Sequence, residues 1–314
     1  MQIVTANRAR AILFGFIRNY ANGKYLLPAN VCPIVPLTFK KANVDFEFID
    51  INNKTLCIDE ETVLKKISDN SSEFEGIVFV HTYGALKHVH NFFNQIKAIS
   101  TNFKIIDDRC LCFPDTEIKD MCSDLMLYST GYGKTIDLGQ GAFAYLKEGL
   151  YVNEEVQNYS EYDLEKLTDD YKFCLQNRLN ISNKNYNWLD TKLNTIDKNK
   201  YFQLISQKVV ELKTHKEKIN AIYNSNLSDH IKLDSDFNNW RYNIVVNNKD
   251  EILRRIFDAG LFASSHYVPS SVLFSDVNYF EAELLSQKII NLFNDKSFSE
   301  QQAENICKII NGVV

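Results

Sequence analysis

The sequence predicts an α/β fold: a large unit on a mainly parallel sheet with helices on both faces, then a smaller C-terminal α+β unit. Three observations carry this. From the start of the chain to Leu146, short apolar runs such as Tyr25–Pro28, Ile77–Val80 and Phe103–Ile106 alternate with stretches whose apolar residues recur every three to four positions. Polar residues stand at the carboxyl ends of those runs, where ligands collect in open parallel sheets. Beyond Lys200 the order changes to one long helical stretch followed by mixed short elements. The expected division is residues 1–200 as the large domain and 201–314 as a linking helix with the small domain, in line with 314 residues by length.

In order along the chain, residues 1–7 read as a short leading segment. A helix follows from about Arg8 to Tyr20, with Ala9, Ile12, Leu13, Phe16, Ile17 and Tyr20 on one stripe. Thr5, Ala6 and Asn7 then lie at that helix's positive end, where free N–H groups favour an anion. Tyr25–Pro28 is a strand running into the proline-punctuated turn Pro28–Pro36, with a short helix over Thr38–Asn43. Val44–Ile51 alternates as a strand, and Asp59 opens a helix with Val63, Leu64 and Ile67 inward. Ile77–Val80 ends at His81-Thr-Tyr83-Gly84, and the next helix carries Val89, Phe92, Phe93, Ile96 and Ile99.

Phe103–Ile106 is a strand ending in Asp107 and Asp108, and Asp124–Tyr128 and Ala142–Leu146 are further strands. A helix over Leu164–Leu179 precedes a polar, irregular stretch, Asn180–Lys200. The long helix Tyr201–Tyr223 turns Phe202, Ile205, Val209, Leu212, Ile219 and Ile222 inward and forms a strut. Trp240–Val246 is a strand, Asp250–Ala259 a helix ending at Gly260, and Leu261–Val268 a strand-like run. Two helices close the chain near Tyr279–Asn294 and Ser299–Ile310, the second with a capping box from Ser299 and Gln302 and a stop at Gly312.

Composition narrows the function. With 45% apolar residues and only 11 Gly and 5 Pro, the chain has material for a full core throughout. A net charge of −5 without a lysine–arginine block argues against a nucleic-acid partner. No apolar run reaches a membrane span and no charged-then-apolar leader opens the chain, so no membrane partner is expected. Seven scattered cysteines point to reduced thiols and a cytoplasmic setting. Cys110, Cys112 and Cys122 lack a second C-x-x-C pair, and His88 and His90 do not share a helix face, so no metal site is expected.

The chemistry centres on Ser129-Thr-Gly-Tyr-Gly-Lys134-Thr-Ile-Asp-Leu-Gly139-Gln-Gly141, between two strand-like runs. Hydroxyls and glycines around one lysine suit a backbone that bends closely about an anion. A nucleoside-triphosphate loop is excluded: its first glycine would fall on Tyr128, and no helix start follows Thr135. A buried lysine at one strand end and an acid, Asp108, at its neighbour's are what a pyridoxal phosphate (PLP) site requires. The plain alternative is a glycine-rich hairpin with an exposed lysine.

The chain resembles the DegT/StrS family of PLP-dependent (fold type I) sugar aminotransferases. The residues that carry the resemblance are Leu27-Pro28, Phe48–Ile51, Val80–Gly84, Ile106–Asp108, Ser129 with Lys134, Gly139–Gly141, Trp240–Tyr242 and His266–Pro269, in that order. It implies a three-layer PLP-transferase-like large domain and Lys134 as the Schiff-base lysine. Asp108 faces the pyridine nitrogen and Ser129 meets the phosphate, with Asn7 and Arg8 in the phosphate turn. Cys32 falls where the family stacks an aromatic on the ring, and Tyr83, at a strand end, completes the cofactor wall. His266 and Tyr267 approach the substrate, and Arg241 is expected to meet a carboxylate or phosphate there, its plainer role being a surface ion pair. The implied reaction moves an amino group from glutamate or a similar donor to a keto-sugar, nucleotide-linked, or a keto-phosphate, in surface polysaccharide or related biosynthesis, with a homodimer as the working form.

Departures from the family are informative. Members carry an extra segment before the phosphate turn, so part of the dimer contact or substrate wall is expected to be built differently here. Leu111 stands where a His or Gln commonly meets the cofactor's phenolic oxygen, and Asn185 or Asn187 is the candidate for the asparagine lent by a second subunit. Two rival readings follow. One is a non-transaminating relative, dehydrating or sensing, against which Lys134 stands because dehydrating relatives lack the lysine. The other is a scaffold or binding protein with a degraded cofactor site, to which Cys32 and Leu111 point.

Overall fold

A computed structural model describes residues 1–70, 72–182 and 184–314. Seven strands make the large sheet among them: β1 (Gln2–Ala6), β2 (Lys24–Pro28), β3 (Phe46–Ile49), β4 (Phe74–Val80), β5 (Lys104–Asp108), β6 (Leu125–Ser129) and β7 (Ala142–Leu146), in the order β1-β7-β6-β5-β4-β2-β3. β3, β2, β4, β5 and β6 run parallel, and β7 is antiparallel to both of its neighbours, β6 and β1. The central strands are nearly all apolar because both their faces are covered. Helices α1 (Ala9–Tyr20) and α2 (Ile34–Lys41) pack on one face, where Ile12, Phe16 and Phe39 meet Leu27, Val78 and Ile106. Helices α3 (Glu60–Asp69) and α4 (His90–Ile99) cover the other, through Val63, Ile67, Phe92 and Phe93 against Ile77, Phe79 and Ile105. The mainly parallel three-layer architecture is as the alternation predicts.

Beyond β7 come α5 (Glu161–Asn177) and the 29-residue α6 (Lys198–Asn226). The small unit then sets α7 (Lys249–Asp258) and α9 (Glu300–Asn311) with the end of α6 against a second sheet, β8 (Tyr242–Val245), β10 (Ile289–Leu292) and β9 (Ala263–Ser264), in the order β8-β10-β9. Ser299 and Gln302 form the expected capping box at the start of α9.

Four elements depart from the sequence reading. Residues 2–6 are strand β1, not a leading segment, because β7 offers an edge for it to pair with along its whole length. Helix α2 begins at Ile34, before Pro36, since a first-turn proline gives up an N–H that has no intrahelical partner there. The helix expected over Tyr279–Asn294 is instead α8 (Phe280–Lys288) followed by β10, whose Ile289 and Ile290 pair with Val245 and Ile244. The run Leu261–Val268 contributes only the two residues of β9, paired to Asn291 and Leu292.

A carboxylate of the large unit caps a helix of the small one. Helix α8 has no side-chain cap of its own, and Asp50, just past β3, accepts the Glu281 and Ala282 amides, each at 2.9 Å. An anion at a helix N-terminus satisfies orphan donors and faces the positive end of the dipole. Replacing Asp50 by Ala is expected to cost about 1–2 kcal/mol, read as a lowered midpoint in urea unfolding.

Candidate active site

The carboxyl edge of the large sheet gathers chain ends from four strands. Because β1 is antiparallel to β7, and β7 to β6, Ala6, Ala142 and Ser129 stand side by side in register. Asn7 and Arg8, the next residues, therefore emerge beside Ser129. Arg8 is the N-cap of α1 and has no side-chain cap bond, so the first-turn amides of α1 face this corner. The Arg8 guanidinium donates to the Gly139 carbonyl at 2.7 Å. It also flanks Gly131 together with the Ser129 hydroxyl: a Cβ built on Gly131 would lie 3.2 Å from Arg8 Nη1 and 3.5 Å from Ser129 Oγ. Asn7 turns away, its side-chain oxygen accepting from Thr195 Oγ1 at 2.9 Å while its carbonyl takes the Gly141 amide at 2.8 Å.

The two acids ending β5 point to opposite faces, as neighbouring strand residues must. Asp107 is sealed. His81 Nε2 lies 2.8 Å from one oxygen, and Arg109 Nε and Nη2 donate to the other at 2.9 and 2.8 Å. Burial alone would raise its pKa, but His81 and Arg109 hold it below the usual carboxylate range. Asp108 is 9% exposed and accepts the Cys110 amide at 2.9 Å through one oxygen only. Among the described residues its second oxygen has no hydrogen-bond partner. Of the two, Asp108 has capacity left for a ligand.

Lys134 sits in the turns that join β6 to β7, so the connection is indeed a glycine-rich antiparallel hairpin. The lysine is half-buried, neither the buried amine nor the exposed one that the sequence allowed. Three bonds shape its loop: Lys134 N–H to Gly131 O at 3.2 Å, Thr135 Oγ1 to Leu111 O at 2.5 Å, and Trp240 Nε1 to Gly133 O at 2.7 Å. Among the described residues the Lys134 amine itself has no hydrogen-bond or ion-pair partner. A cavity of about 400 Å³ opens beside it, walled by Tyr132, Lys134, Trp240, Arg241, Phe293 and Asp295 among others.

Lys134 and Asp108 converge electrostatically on two thiols. Burial raises the pKa of Cys32; the Lys134 charge opposes this and the Asp108 charge adds to it. Cys110 lies well above its ordinary value, through burial and then Asp108, again with Lys134 opposing. Tyr267 joins the cluster, its hydroxyl pushed well up by burial and by the charges of Cys32, Tyr83 and Asp108. His266 is lowered to about 4 by burial and then by the positive charges of Arg241 and Lys134, so its imidazole is neutral at pH 7. Arg241 lies over the Trp240 ring at 4.4 Å and over Phe293 at 4.0 Å, and its Nη1 donates to Ser264 Oγ. Burial lowers its pKa to about 10, which leaves it a cation with no carboxylate partner among the described residues. It is thus not the surface ion pair that was its plainer role.

Tyr83 is sealed beneath Trp240, with ring centroids 6.2 Å apart and planes 8° from parallel, and its hydroxyl donates to the His266 carbonyl at 2.5 Å. It reaches the cluster through those neighbours. Leu111 packs with Tyr83 and Trp240. Gly84, at φ +80°, must be glycine, since a Cβ would lie 2.3 Å from Leu111 O. Asn185 lines a separate cleft with Lys40, Lys41 and Trp188, and the Asn187 amide donates to Asp163 at 2.7 Å.

The sequence assigns no role to Trp240, which lies in a stretch that carries the family resemblance, or to Lys216. The signal for Lys216 was there: it interrupts the inward stripe of the long helix between Leu212 and Ile219, yet is 4% exposed.

Residues 39–122 match the model of the DegT/DnrJ/EryC1/StrS aminotransferase family. No curated protein matches the sequence. Among solved structures, the sugar aminotransferase CalS13 from Micromonospora echinospora is similar with a TM-score of 0.73 at 17% identity, over 99% of this chain and 87% of that one. A DegT DnrJ EryC1 StrS aminotransferase from Brucella abortus has a TM-score of 0.70 at 16% identity, over 99% and 86%. The E. coli GDP-4-keto-6-deoxy-D-mannose-3-dehydratase with bound hydrated PLP has a TM-score of 0.65 at 13%, over 98% and 87%. At these identities the likeness is one of fold, and the fold is the one the sequence resemblance implies.

The His266 environment sets a pH dependence. A group whose folded pKa of about 4 lies below its ordinary 6.5 binds fewer protons in the native state, so stability falls as pH drops through that window and is full above it. Thermal melts between pH 7 and 4 are expected to show a steeper loss for the native chain than for His266→Gln.

Proposed function

We propose that the chain is a PLP-dependent aminotransferase that moves an amino group from glutamate or a similar donor to a keto-sugar, nucleotide-linked, for surface polysaccharide or related biosynthesis. The observation that carries this reading is one sheet edge that holds a half-buried Lys134 and an Asp108 with one oxygen unpartnered among the described residues, with Ser129 and Arg8 at the next corner. The donor set fits the cofactor. A lysine amine and a carboxylate oxygen stand without partners among the described residues, and an uncapped helix start adjoins a serine hydroxyl and an arginine.

When bound, the cofactor supplies an aldehyde carbon and an electron-withdrawing ring. Asp108 would keep a proton on the ring nitrogen, its second oxygen being free to accept that N–H. Lys134 Nζ would move a proton from the donor's Cα to the cofactor's aldehyde carbon, and in the opposite direction with the keto acceptor, as general base and acid. Ser129 Oγ, the first-turn amides of α1 and the Arg8 guanidinium bind the phosphate. Cys32, by the family resemblance, would meet the ring with a compact, polarizable sulfur. Arg241, desolvated over Trp240 and neighboured by His266 and Tyr267, binds an anionic group of the substrate. Leu111 leaves the cofactor's phenolic oxygen to other groups and fills the apolar plug beneath the site.

The cofactor-binding unit in this reading is residues 1–200 and the small unit residues 201–314, with the boundary in the first turn of α6. A homodimer is proposed with it, supported by the exposed apolar side chains Val156, Tyr162 and Phe173 along and before α5. A cytoplasmic setting agrees with seven unpaired thiols; no helix of the described residues is long and apolar enough to cross a membrane. The fold also serves a dehydratase, and Lys134 weighs against that rival by the family resemblance.

Adding pyridoxal phosphate to the native chain is expected to give a visible absorbance band that borohydride locks onto Lys134, mapped by peptide mass. Lys134→Ala is expected to lose both signals; retention of either would sink the assignment. Asp108→Asn is expected to keep cofactor uptake and lose about 100-fold or more in glutamate-dependent turnover. Asp107→Asn, by contrast, should act chiefly on stability, seen as a lower melting midpoint.

A further inference from the structure

The buried amine of Lys216 has no part in the chemistry above. It lies on α6, donates to the Trp240 carbonyl at 2.7 Å and to Asn294 Oδ1 at 2.5 Å, and meets no carboxylate within ion-pair distance among the described residues. Desolvation lowers its pKa to about 7, with the Asp295 charge opposing. An apolar side chain on this stripe would avoid that cost. What the amine achieves is the fixing of one carbonyl. Trp240 precedes β8 and pairs with no strand, so its C=O would otherwise be a buried acceptor without a donor.

Trp240 is in turn anchored on three sides. Its ring lies flat on Tyr83, the Arg241 guanidinium covers it at 4.4 Å, and its edge donates to Gly133 O at 2.7 Å. The Gly133 N–H donates to Asp137 Oδ2 at 2.7 Å, so both polar groups of that residue are held. Gly133 has φ +71°, a backbone that only glycine adopts without strain, and the peptide leaving it is the one that carries Lys134. Asn294 is fixed as well, donating to Asn220 Oδ1 at 2.9 Å and to Asn238 O at 3.1 Å. A continuous set of bonds thus runs from the long helix, through the Trp240 main chain and indole, to the residue before Lys134.

We propose that Lys216 is a positioning residue for Lys134, acting through Trp240 on the 133–134 peptide. This rests on Lys134 being the reactive amine and is independent of the substrate's identity. It predicts that the loop loosens when either link is cut, and that the two cuts are not additive. Lys216→Met keeps the length and removes the donor; Trp240→Phe keeps a ring on Tyr83 and removes the indole N–H.

The test is amide hydrogen exchange, read by mass spectrometry on the cofactor-free chain, in both single variants and the double variant. Exchange over residues 131–135 is expected to rise about 5-fold in each single variant, the equivalent of one net hydrogen bond. The double variant should match Trp240→Phe alone, with β5 and β7 amides unchanged throughout. An unchanged loop in either single variant, additive effects in the double, or faster exchange across the sheet as well would each overturn the proposal. Borohydride trapping of pyridoxal phosphate on Lys134 supplies the second readout, expected to slow in both single variants and equally in the double. If the native chain takes up no cofactor, the aminotransferase reading falls, while the exchange data still decide whether Lys216 acts on the loop.

Discussion

The pairing of β1 with β7 is the constraint on which the site depends. It is the outermost pairing of the sheet, yet it sets Ala6, Ala142 and Ser129 in one row. A slip of one residue would turn every β1 side chain to the opposite face and displace Arg8 along the edge. The α1 N-terminus, the Arg8 guanidinium and the Ser129 hydroxyl come from distant parts of the chain and meet only because this register is kept. β5 completes the geometry from the other side: Asp108 pairs with Leu127, two residues back from Ser129 on β6. The acid is therefore offset from the corner of Ser129 and Arg8 both across and along the sheet, by one strand spacing and about 6–7 Å of rise.

Much of this was legible because parallel sheets put functional residues at strand ends, and strand ends are marked by a change from apolar to polar. Ser129, Lys134 and Asp108 were found that way. The choice between Asp107 and Asp108 rested on resemblance alone, since alternation says that they diverge but not which one meets a partner. That answer required His81, at the end of β4, and Arg109, folded back from the residue after Asp108. β1 was illegible because Gln-Ile-Val-Thr-Ala is short and its partner lies at the far end of the large unit. β10 was hidden by the opposite cause, a helical apolar spacing that runs on past Lys288 into Ile289 and Ile290. Lys216 was overlooked because a charged residue within an amphipathic stripe is normally read as noise in the pattern.

The small unit packs directly against the large one. Phe237, Trp240 and Ile289 from its side close over Leu56, Tyr83, Ala85 and Leu111 from the large unit. Leu111, a departure when set beside the family, is here part of a continuous apolar seam that seats Trp240. Its carbonyl still serves polar chemistry, taking the Thr135 hydroxyl. The loop bearing Lys134 is therefore bonded to β5's outgoing segment on one side and to the small unit on the other.

The raised pKa values of Cys32 and Cys110 bear on selectivity among nucleophiles. Cys32 and Cys110 both lie within the fields of Lys134 and Asp108, and a thiol attacks an electrophilic carbon as its thiolate. Burial and the neighbouring carboxylate keep both sulfurs protonated. Both sulfurs are thus kept from the thiolate form in which they would compete with an amine for an electrophilic carbon.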